Sequence, residues 1–398
     1  MIDSNIATPG GVCSGKVVIG MVAGEASGDM LGAHLIEALK QRLPGAEFVG
    51  IGGPKMVSAG MRTLFPMEKL AVRGYVEVLR HFLEILGIRR KLIAYFRKNP
   101  PDVFIGVDAP DFNLTVEAAL KKRGIPAIHY VSPSIWAWRG ERIRKIGRAV
   151  SRILAIFPFE EALYNAAGIP VTYVGHPLAD FLPKEPDKFA MRELLKLPQN
   201  ASVIAMLPGS RQSELHHMAE LFIRTAQVIA SRNPQARFLV PLVSRETRTY
   251  FEKTLYRLNA QDLPLTILFG HAHDAMIAAD VVLVASGTAT LEAALLKRPM
   301  VITYKMPSAS YRIMKRKGYL PYVGLPNILA GRFIVPEILQ DDATPENLAQ
   351  ALLNVLEDPM VGENLTGVFS RMLGELKQNT ADKAVAAILP YLNPKTSR

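Results

Sequence analysis

The chain has 398 residues, and its composition (49% hydrophobic, 21% charged) is that of a folded protein too long for one core, so we expect two domains. A single cysteine, Cys13, excludes an internal disulfide framework and a multi-cysteine zinc site, and no run of about 18 uncharged apolar residues is present to span a membrane. The net charge of +11 at pH 7 favours an anionic membrane surface or a phosphorylated substrate over nucleic acid, because no nucleic-acid-binding motif is present and the aromatic residues do not alternate with basic ones.

A βαβ unit is predicted near the start of the chain. It follows residues 1–16, an extension without the basic start and apolar core of a signal peptide, so we expect a cytoplasmic protein. Strands at 16–22 and 48–51 flank a helix at 30–42, without the spaced glycines of an NAD site. Ligands bind at the carboxyl edge of such sheets, so the first turn supplies candidate acceptor-side residues, although its acids can equally cap a helix. These candidates are Glu25, Ser27, Gly28 and Asp29.

Residues 68–98 combine apolar positions at helical spacing with flanking arginine and lysine residues. Such a segment can lie in the interface of a bilayer. The alternative is a core-packing helix pair, interrupted at Gly74 and Gly87, with a solvated basic side. If the segment lies in the bilayer interface, residues 70–96 form the membrane-association segment. Its candidate membrane residues are Val76, Leu79, Phe82 and Leu86.

A buried strand is predicted at 102–107, and Asp108 follows at its carboxyl end. This position makes Asp108 the best-placed acid in the first half of the chain. Asp111 comes after Pro110, where it suits a helix cap. A metal-binding carboxylate pair is the rival interpretation, but no third ligand is apparent, so no metal site is expected.

The next strand, 127–131, leads into a stretch that contains both tryptophans and dense positive charge. Trp136 and Arg139 are its candidate site residues, and a solvated helix face is the alternative for the charge. Further strands are predicted at 153–156 and 171–174. His176 follows the second of these, where it faces a ligand or simply ends the strand.

The second half of the chain repeats this pattern after a proline-containing crossing at 178–200. Strands alternate with helices again, which predicts two doubly wound, Rossmann-like α/β domains whose carboxyl edges face across a cleft. The strands are predicted at 203–207, 238–243, 266–268, 281–284 and 300–303. Helices after residue 345 either pack back across the domains or exchange with another subunit in a homodimer.

The turn after the strand at 281–284 leads into a helix through small and hydroxyl residues, Ser286, Gly287 and Thr288. Free amides at a helix N-terminus favour a phosphate, and Glu292 lies one turn further on, within reach of a ribose diol. An ordinary capped turn is the alternative. In the same half, the turn formed by Gly209, Ser210 and Arg211 adds exposed amides and an arginine that can bind a diphosphate bidentately. Asn327, which can hydrogen-bond a sugar or a phosphate, completes the candidate donor site.

Six motifs in one order resemble those of the lipid-A-disaccharide synthases. They lie at 22–29, 108–113, 129–139, 208–211, 286–292 and 325–332. The resemblance implies the glycosyltransferase B fold and transfer of 2,3-diacylglucosamine from its UDP derivative to 2,3-diacylglucosamine 1-phosphate. The product is a β(1→6)-linked disaccharide 1-phosphate, and UDP is released. The resemblance further implies peripheral association with the inner membrane, and no cofactor or bound metal is expected.

The implied reaction inverts the anomeric carbon, so it needs one base and charge stabilisation for the departing UDP. We assign Asp108 as the base, and Arg211 with the Ser286 turn to the diphosphate. The sequence departs from the family pattern in residues 1–16, at Arg73 and at Gly324.

We expect four parts of the chain: the extension, 1–16; an acceptor-side domain, 17–186; a UDP-sugar domain, 187–360; and C-terminal helices, 361–398. Two alternatives for the function remain. One is another UDP-sugar enzyme of this fold, such as an N-acetylglucosaminyl transferase or a 2-epimerase, and the other is a non-enzymatic basic module that binds membranes.

Overall fold

Two α/β units make up the chain in the computed structural model, which describes residues 17–70, 75–138, 140–307, 311 and 320–392. The side chains of residues 75–82, 137 and 138 lie outside this description. The first unit comprises the chain up to Pro177 together with the part from Gln378 on, and the second runs from Leu178 to Lys377.

The first unit is built on parallel strands. Its strands are β1 (Val18–Ala23), β2 (Glu47–Ile51), β3 (Met61–Thr63), β4 (Val103–Val107), β5 (Ala127–Tyr130), β6 (Arg152–Ala155) and β7 (Val171–Tyr173). Among the described residues they form a seven-stranded sheet in the order β3-β2-β1-β4-β5-β6-β7, with every neighbouring pair parallel. The described helices up to the unit boundary are α1 (Ala26–Arg42), α2 (Pro54–Ser58), α3 (Tyr75–Lys98), α4 (Pro110–Lys121), α5 (Ile135–Trp138), α6 (Ile143–Ala149) and α7 (Phe159–Ala166). The next helix, α8 (Pro177–Phe181), begins at the boundary, and its other four residues belong to the second unit.

The second unit repeats this architecture. Its strands are β8 (Ser202–Leu207), β9 (Ala236–Leu242), β10 (Leu265–Phe269), β11 (Val281–Ala285), β12 (Met300–Tyr304) and β13 (Glu337–Leu339), in the sheet order β10-β9-β8-β11-β12-β13. Its helices are α9 (Lys188–Leu194), α10 (Gln212–Arg232), α11 (Arg245–Arg257), α12 (Ala272–Ala278), α13 (Thr288–Leu295), α14 (Leu325–Ala330), α15 (Pro345–Glu357) and α16 (Pro359–Leu376). The last α-helix among the described residues, α17 (Thr380–Ile388), packs on α1 and belongs to the first unit.

The central strands are apolar because helices cover both faces of each sheet. All residues of β4 and of β11 are buried, as expected for parallel strands between two helical layers. In the second unit, Phe222 of α10 and Leu352 of α15 belong to the same fully buried core cluster as Leu283 of β11. The predicted pair of doubly wound α/β halves is confirmed.

Two elements differ from the expectation. In residues 68–98 the alternative expected a pair of core-packing helices, but α3 is a single helix that contains Gly87, and its C-terminal half packs in the core through Leu92 and Phe96. The edge strands β3 and β13, of three residues each, were not predicted. Within the described residues, no helix has both the length and the apolarity needed to cross a bilayer.

Candidate functional site

Asp108 follows β4 in a strained turn. Asp108 and Ala109 have φ values of 52° and 43°, in the left-handed region that residues with side chains rarely enter. The turn is held by two hydrogen bonds: the Asp108 amide donates to the Tyr130 carbonyl at 2.8 Å, and the Asn113 side chain donates to the Asp108 carbonyl at 2.8 Å. Strain of this kind persists where the surrounding structure enforces it, often at functional sites. Asp108 is therefore a fixed carboxylate at the edge where ligands bind parallel sheets.

The turn after β1 lies against the Asp108 turn. A Cβ atom added to Gly24 would lie 2.7 Å from the Cβ of Ala109, so only glycine permits this approach. Burial raises the pKa of the Asp108 carboxyl, the Ala109 amide and the charge on His129 lower it, and the charge on Glu25 raises it; the net shift is upward. A raised carboxylate pKa suits a general base.

The other candidates in the first turn have different surroundings. Ser27 is exposed, whereas Gly28 is buried, and a Cβ added to Gly28 would lie 3.4 Å from the Val107 carbonyl oxygen. Asp29 is not an acceptor-side residue. Its carboxylate accepts hydrogen bonds from the amides of Gly53, Lys55 and Met56 at 2.8–3.0 Å, which caps α2.

Trp136 is held by a buried acid that the sequence analysis missed. The indole Nε1 donates to Glu160 Oε1 at 3.0 Å, and the indole ring makes edge contacts with Phe157 and Phe159. Burial raises the pKa of Glu160 to about 7. His176 is buried, with its ring 5.4 Å from that of Phe157. Trp136 and His176 thus belong to one aromatic cluster, while Arg139 lies outside the described residues.

In the second unit, Gly209 and Ser210 precede α10, and Arg211 is its N-cap residue. The expectation of exposed amides is wrong for Ser210 and Arg211, because both donate to Glu214 Oε2, at 3.0 and 3.2 Å. A Cβ on Gly209 would meet the same carboxylate at 2.6 Å. The Arg211 side chain remains 56% exposed, with one nitrogen 3.6 Å from Glu214 Oε1. This loop therefore offers a cation but no free amides from these two residues.

The turn between β11 and α13, unlike the turn before α10, leaves backbone amides without a hydrogen-bond partner among the described residues. The Ser286 amide donates to the Thr303 carbonyl at 3.0 Å, which continues the sheet, and Gly287 has φ 149°. The amides of Gly287, Thr288 and Ala289 have no hydrogen-bond partner among the described residues. First-turn amides of a helix have no intrahelical partner, so they are available to an anion.

Glu292 lies one turn into α13 and is not isolated. Its Oε2 lies 3.1 Å from His273 Nε2, and this hydrogen bond raises the pKa of His273. The Glu292 side chain is 20% exposed. A carboxylate has two acceptor oxygens, so the other can still accept from a ribose hydroxyl.

Asn327 is a structural residue and not a donor contact. It is fully buried, and its Nδ2 donates to the Val335 carbonyl and to Glu337 Oε1 while its Oδ1 accepts from the amides of Ile334 and Val335, all at 2.8–3.0 Å. These bonds use both donors and both acceptor positions of the amide.

Replacing Asn327 by alanine is therefore expected to destabilise the protein by on the order of 3 kcal/mol, because buried backbone groups lose their partners. Denaturant unfolding measures the loss. The folded fraction should bind UDP like the parent. A weaker UDP affinity at unchanged stability would restore Asn327 to the donor site.

The membrane candidates are only partly described. Val76, Leu79 and Phe82 lie in α3, but their side chains are outside the described residues, and Leu86 is half-buried. The C-terminal half of α3 belongs to the core, since Leu92 and Phe96 are fully buried.

A basic groove of about 860 Å³ lies along α3, α4 and α6 of the first unit. Apolar residues including Leu114 and Ala118 line it, and Glu141 is the acid among its lining residues. Its cations have no ion-pair partner among the described residues. They are Arg97, Lys122, Arg123, Arg144, Lys145 and Arg148.

Within the described part of the chain, no three histidine, cysteine, aspartate or glutamate side chains group as metal ligands.

The candidate site residues are divided between the two units. The Asp108 turn and the aromatic cluster are in the first unit, and the Arg211 and Ser286 turns are in the second.

Known proteins resemble this chain over nearly its whole length. A family model described as lipid-A-disaccharide synthetase matches residues 19–388. The lipid-A-disaccharide synthase of Methylobacillus flagellatus is 61% identical over 374 residues, which are 94% of this chain and 99% of the relative. That of Dechloromonas aromatica is 60% identical over 378 residues, 95% of this chain and 99% of the relative.

Solved structures with little sequence identity share the fold. A putative UDP-N-acetylglucosamine 2-epimerase from Listeria monocytogenes has a TM-score of 0.66 at 12% identity, covering 96% of this chain and 98% of that one. The glycotransferase of kitacinnamycin has a TM-score of 0.61 at 17% identity, covering 95% and 99%. These similarities concern the fold alone, and they confirm the expected glycosyltransferase B architecture.

Proposed function

Because the chain belongs to the lipid-A-disaccharide synthase family, we infer that it is a glycosyltransferase that uses a UDP-sugar donor and a lipid acceptor. The donor is UDP-2,3-diacylglucosamine and the acceptor is 2,3-diacylglucosamine 1-phosphate. The products are the β(1→6)-linked disaccharide 1-phosphate and UDP.

The observation that carries the mechanism is the strained Asp108 turn. In a single displacement, the 6-hydroxyl oxygen of the acceptor forms a bond to the anomeric carbon as the bond from that carbon to the diphosphate oxygen breaks. The electron pair leaves with UDP, and the hydroxyl proton goes to the Asp108 carboxylate. The pKa of Asp108 is raised mainly by burial, which strengthens it as a base. Attack opposite the leaving group inverts the α-linked donor to a β-linked product.

The leaving diphosphate needs positive charge or amide donors. The unpartnered amides of Gly287, Thr288 and Ala289 support a role in holding one phosphate, and the exposed guanidinium of Arg211 can neutralise the developing charge. Glu292 is then assigned to the ribose hydroxyls, with His273 fixing its orientation.

We further propose that the first unit associates peripherally with an anionic membrane, from which the acylated substrates come. The basic groove supports this, since unpaired cations over an apolar floor suit lipid phosphates. In α3, Leu83 is 78% exposed, but it lies about 21 Å along the helix from the groove-lining Arg97 and is apolar surface outside the groove.

Substituting Arg144, Lys145 and Arg148 together by glutamine is expected to weaken binding to vesicles containing anionic lipid by roughly a hundredfold, at about 1 kcal/mol per basic residue. Vesicle sedimentation measures the partition. The matched control replaces Arg224, Arg248 and Arg257, exposed arginines of the second unit that pair with glutamates. Equal losses in both variants would mean that only the net charge matters, and unchanged binding in the groove variant would rule the groove out.

The acceptor decides between this function and its alternatives. UDP release is measured with diacylated and with unacylated glucosamine 1-phosphate as acceptor. We expect rapid release only with the diacylated acceptor. Release independent of acyl chains indicates another UDP-sugar enzyme of this fold, and no release indicates a binding module.

A further inference from the structure

A buried pair of a histidine and a glutamate lies near the Asp108 turn. His129 of β5 and Glu117 of α4 are both fully buried, with His129 Nδ1 2.7 Å from Glu117 Oε1. A buried pair of this kind costs desolvation and is often no more stabilising than apolar side chains of the same size. Its presence in the core therefore calls for a reason other than stability.

The sheet is shaped to hold this pair. Gly106 of β4 is the register partner of His129, and a Cβ added to Gly106 would lie 2.1 Å from Glu117 Oε1. Any larger residue would displace the carboxylate. Gly106 is two residues before Asp108, so the space for Glu117 is made by the strand that carries Asp108.

Asn113 shares a face of α4 with Glu117 and holds the turn. It lies one helical turn before Glu117 on α4, and its Nδ2 donates to the Asp108 carbonyl at 2.8 Å and to the Val22 carbonyl at 3.3 Å. Three atoms of this cluster are buried without a hydrogen-bond partner among the described residues: Asn113 Oδ1, Glu117 Oε2 and His129 Nε2. Unsatisfied buried polar atoms are costly and are retained mainly where function requires them.

We propose that Glu117 and His129 are positioning residues for the transfer reaction: Glu117 holds His129 as an imidazolium, whose charge keeps the nearby Asp108 carboxylate ionised and ready to accept the acceptor proton. This inference rests on the proposed role of Asp108 as the base.

The surrounding charges favour a protonated His129, although burial raises the pKa of the Glu117 carboxyl above its ordinary value against the lowering effect of His129. Burial by itself lowers the pKa of His129, but the charge and hydrogen bond of Glu117 and the charge of Asp108 outweigh it, so the pKa is raised. Asp108 in turn faces Glu25 from the β1–α1 turn, whose charge opposes ionisation, and His129 from β5, whose charge favours it. On α4, Asn113 is neutral, and the carboxylate of Asp111 in the first turn is 77% exposed and paired with Arg142. The charge of His129 therefore lowers the pKa of Asp108, whereas burial and the charge of Glu25 raise it.

The pH dependence of turnover tests the proposal. In Glu117→Gln and in His129→Gln we expect kcat at pH 7 to fall at least about tenfold, with KM for both substrates within about twofold of the parent. Without the imidazolium the pKa of Asp108 rises, so the acidic limb of the kcat profile should move to higher pH by about one unit. Raising the pH should then restore kcat, a rescue that a purely structural role does not give.

The control is Asp280→Asn, which breaks an ion pair of the second unit, where Asp280 lies 2.7 Å from Arg192. It should lower the melting temperature and leave the acidic limb in place. If the acidic limb of the kcat profile does not move in Glu117→Gln and His129→Gln, while Asp108→Asn still loses turnover, the positioning role is wrong and the proposed base stands. Turnover retained in Asp108→Asn overturns the proposed base and this inference with it.

If neither variant folds, the parent protein still gives an answer. ¹⁵N NMR of histidine-labelled protein should show an imidazole that keeps both protons at a pH where an ordinary histidine is neutral. This signal should persist in His271→Gln and in His273→Gln, which remove imidazoles bonded to other carboxylates. A protein in which every remaining histidine is neutral at that pH contradicts the proposal.

Discussion

Asp108→Asn is expected to fold, to bind UDP with nearly the affinity of the parent and to lose about 10²–10⁴ in turnover. The asparagine amide cannot take up the proton of the acceptor hydroxyl, while the donor contacts proposed in the second unit are unchanged. The loss should therefore appear in kcat and hardly in KM. Steady-state kinetics measure the loss in kcat and any change in KM, and calorimetry measures the affinity for UDP.

The matched control is Asp111→Asn, three residues after Asp108, in the first turn of α4. From the sequence, Asp111 suits a structural helix cap, and its loss would mainly reduce stability. In the structure its side chain is 77% exposed and pairs with Arg142. Exposed ion pairs contribute little, so we now expect Asp111→Asn to change both stability and turnover only slightly. Turnover close to the parent in Asp108→Asn across neutral pH would show that another group, such as Glu25, is the base.

Arg211→Ala is expected to weaken UDP-sugar binding by about 10–100-fold, because a charge-assisted contact to the diphosphate contributes roughly 1.5–3 kcal/mol. Acceptor affinity should stay unchanged. The Glu214 carboxylate continues to accept from the amide of Ser210, so the loop should keep its conformation. Isothermal titration with UDP and with the acceptor measures both affinities.

Arg245→Ala serves as the control, since Arg245 is an exposed arginine that begins the helix after the neighbouring strand β9. Its loss removes the same charge from the same unit and should leave UDP affinity unchanged. Equal losses of donor and acceptor affinity in Arg211→Ala would indicate a folding defect instead of a lost contact.

The central strands were predictable because their burial on both faces requires continuous apolar sequence. The run 281–284 and the run before Asp108 both became fully buried strands. By contrast, the edge strands β3 (Met-Arg-Thr) and β13 (Glu-Ile-Leu) contain too few β-branched residues to stand out, whereas the equally short edge strand β7 was predicted from the run Val-Thr-Tyr-Val.

Side-chain partners were less predictable than strands. Asn327 obtains its partners from residues seven to ten positions later, so nothing near it in the sequence distinguishes a structural amide from a sugar ligand. Glu214 was recognisable, since an acid three residues after an N-cap position is typical of a capping box. The spacing that places Asn113 and Glu117 on one face of a helix was also visible in the sequence. The partner of Glu117, His129 of β5, could be identified only from the structure.

The most direct measurement is the linkage of the product formed by the purified protein from UDP-2,3-diacylglucosamine and 2,3-diacylglucosamine 1-phosphate. Proton NMR reports the anomeric configuration, and UDP is quantified in the same reaction. We predict one β(1→6)-linked disaccharide 1-phosphate for each UDP released. An α-linked product, or UDP released without a disaccharide, would contradict the account.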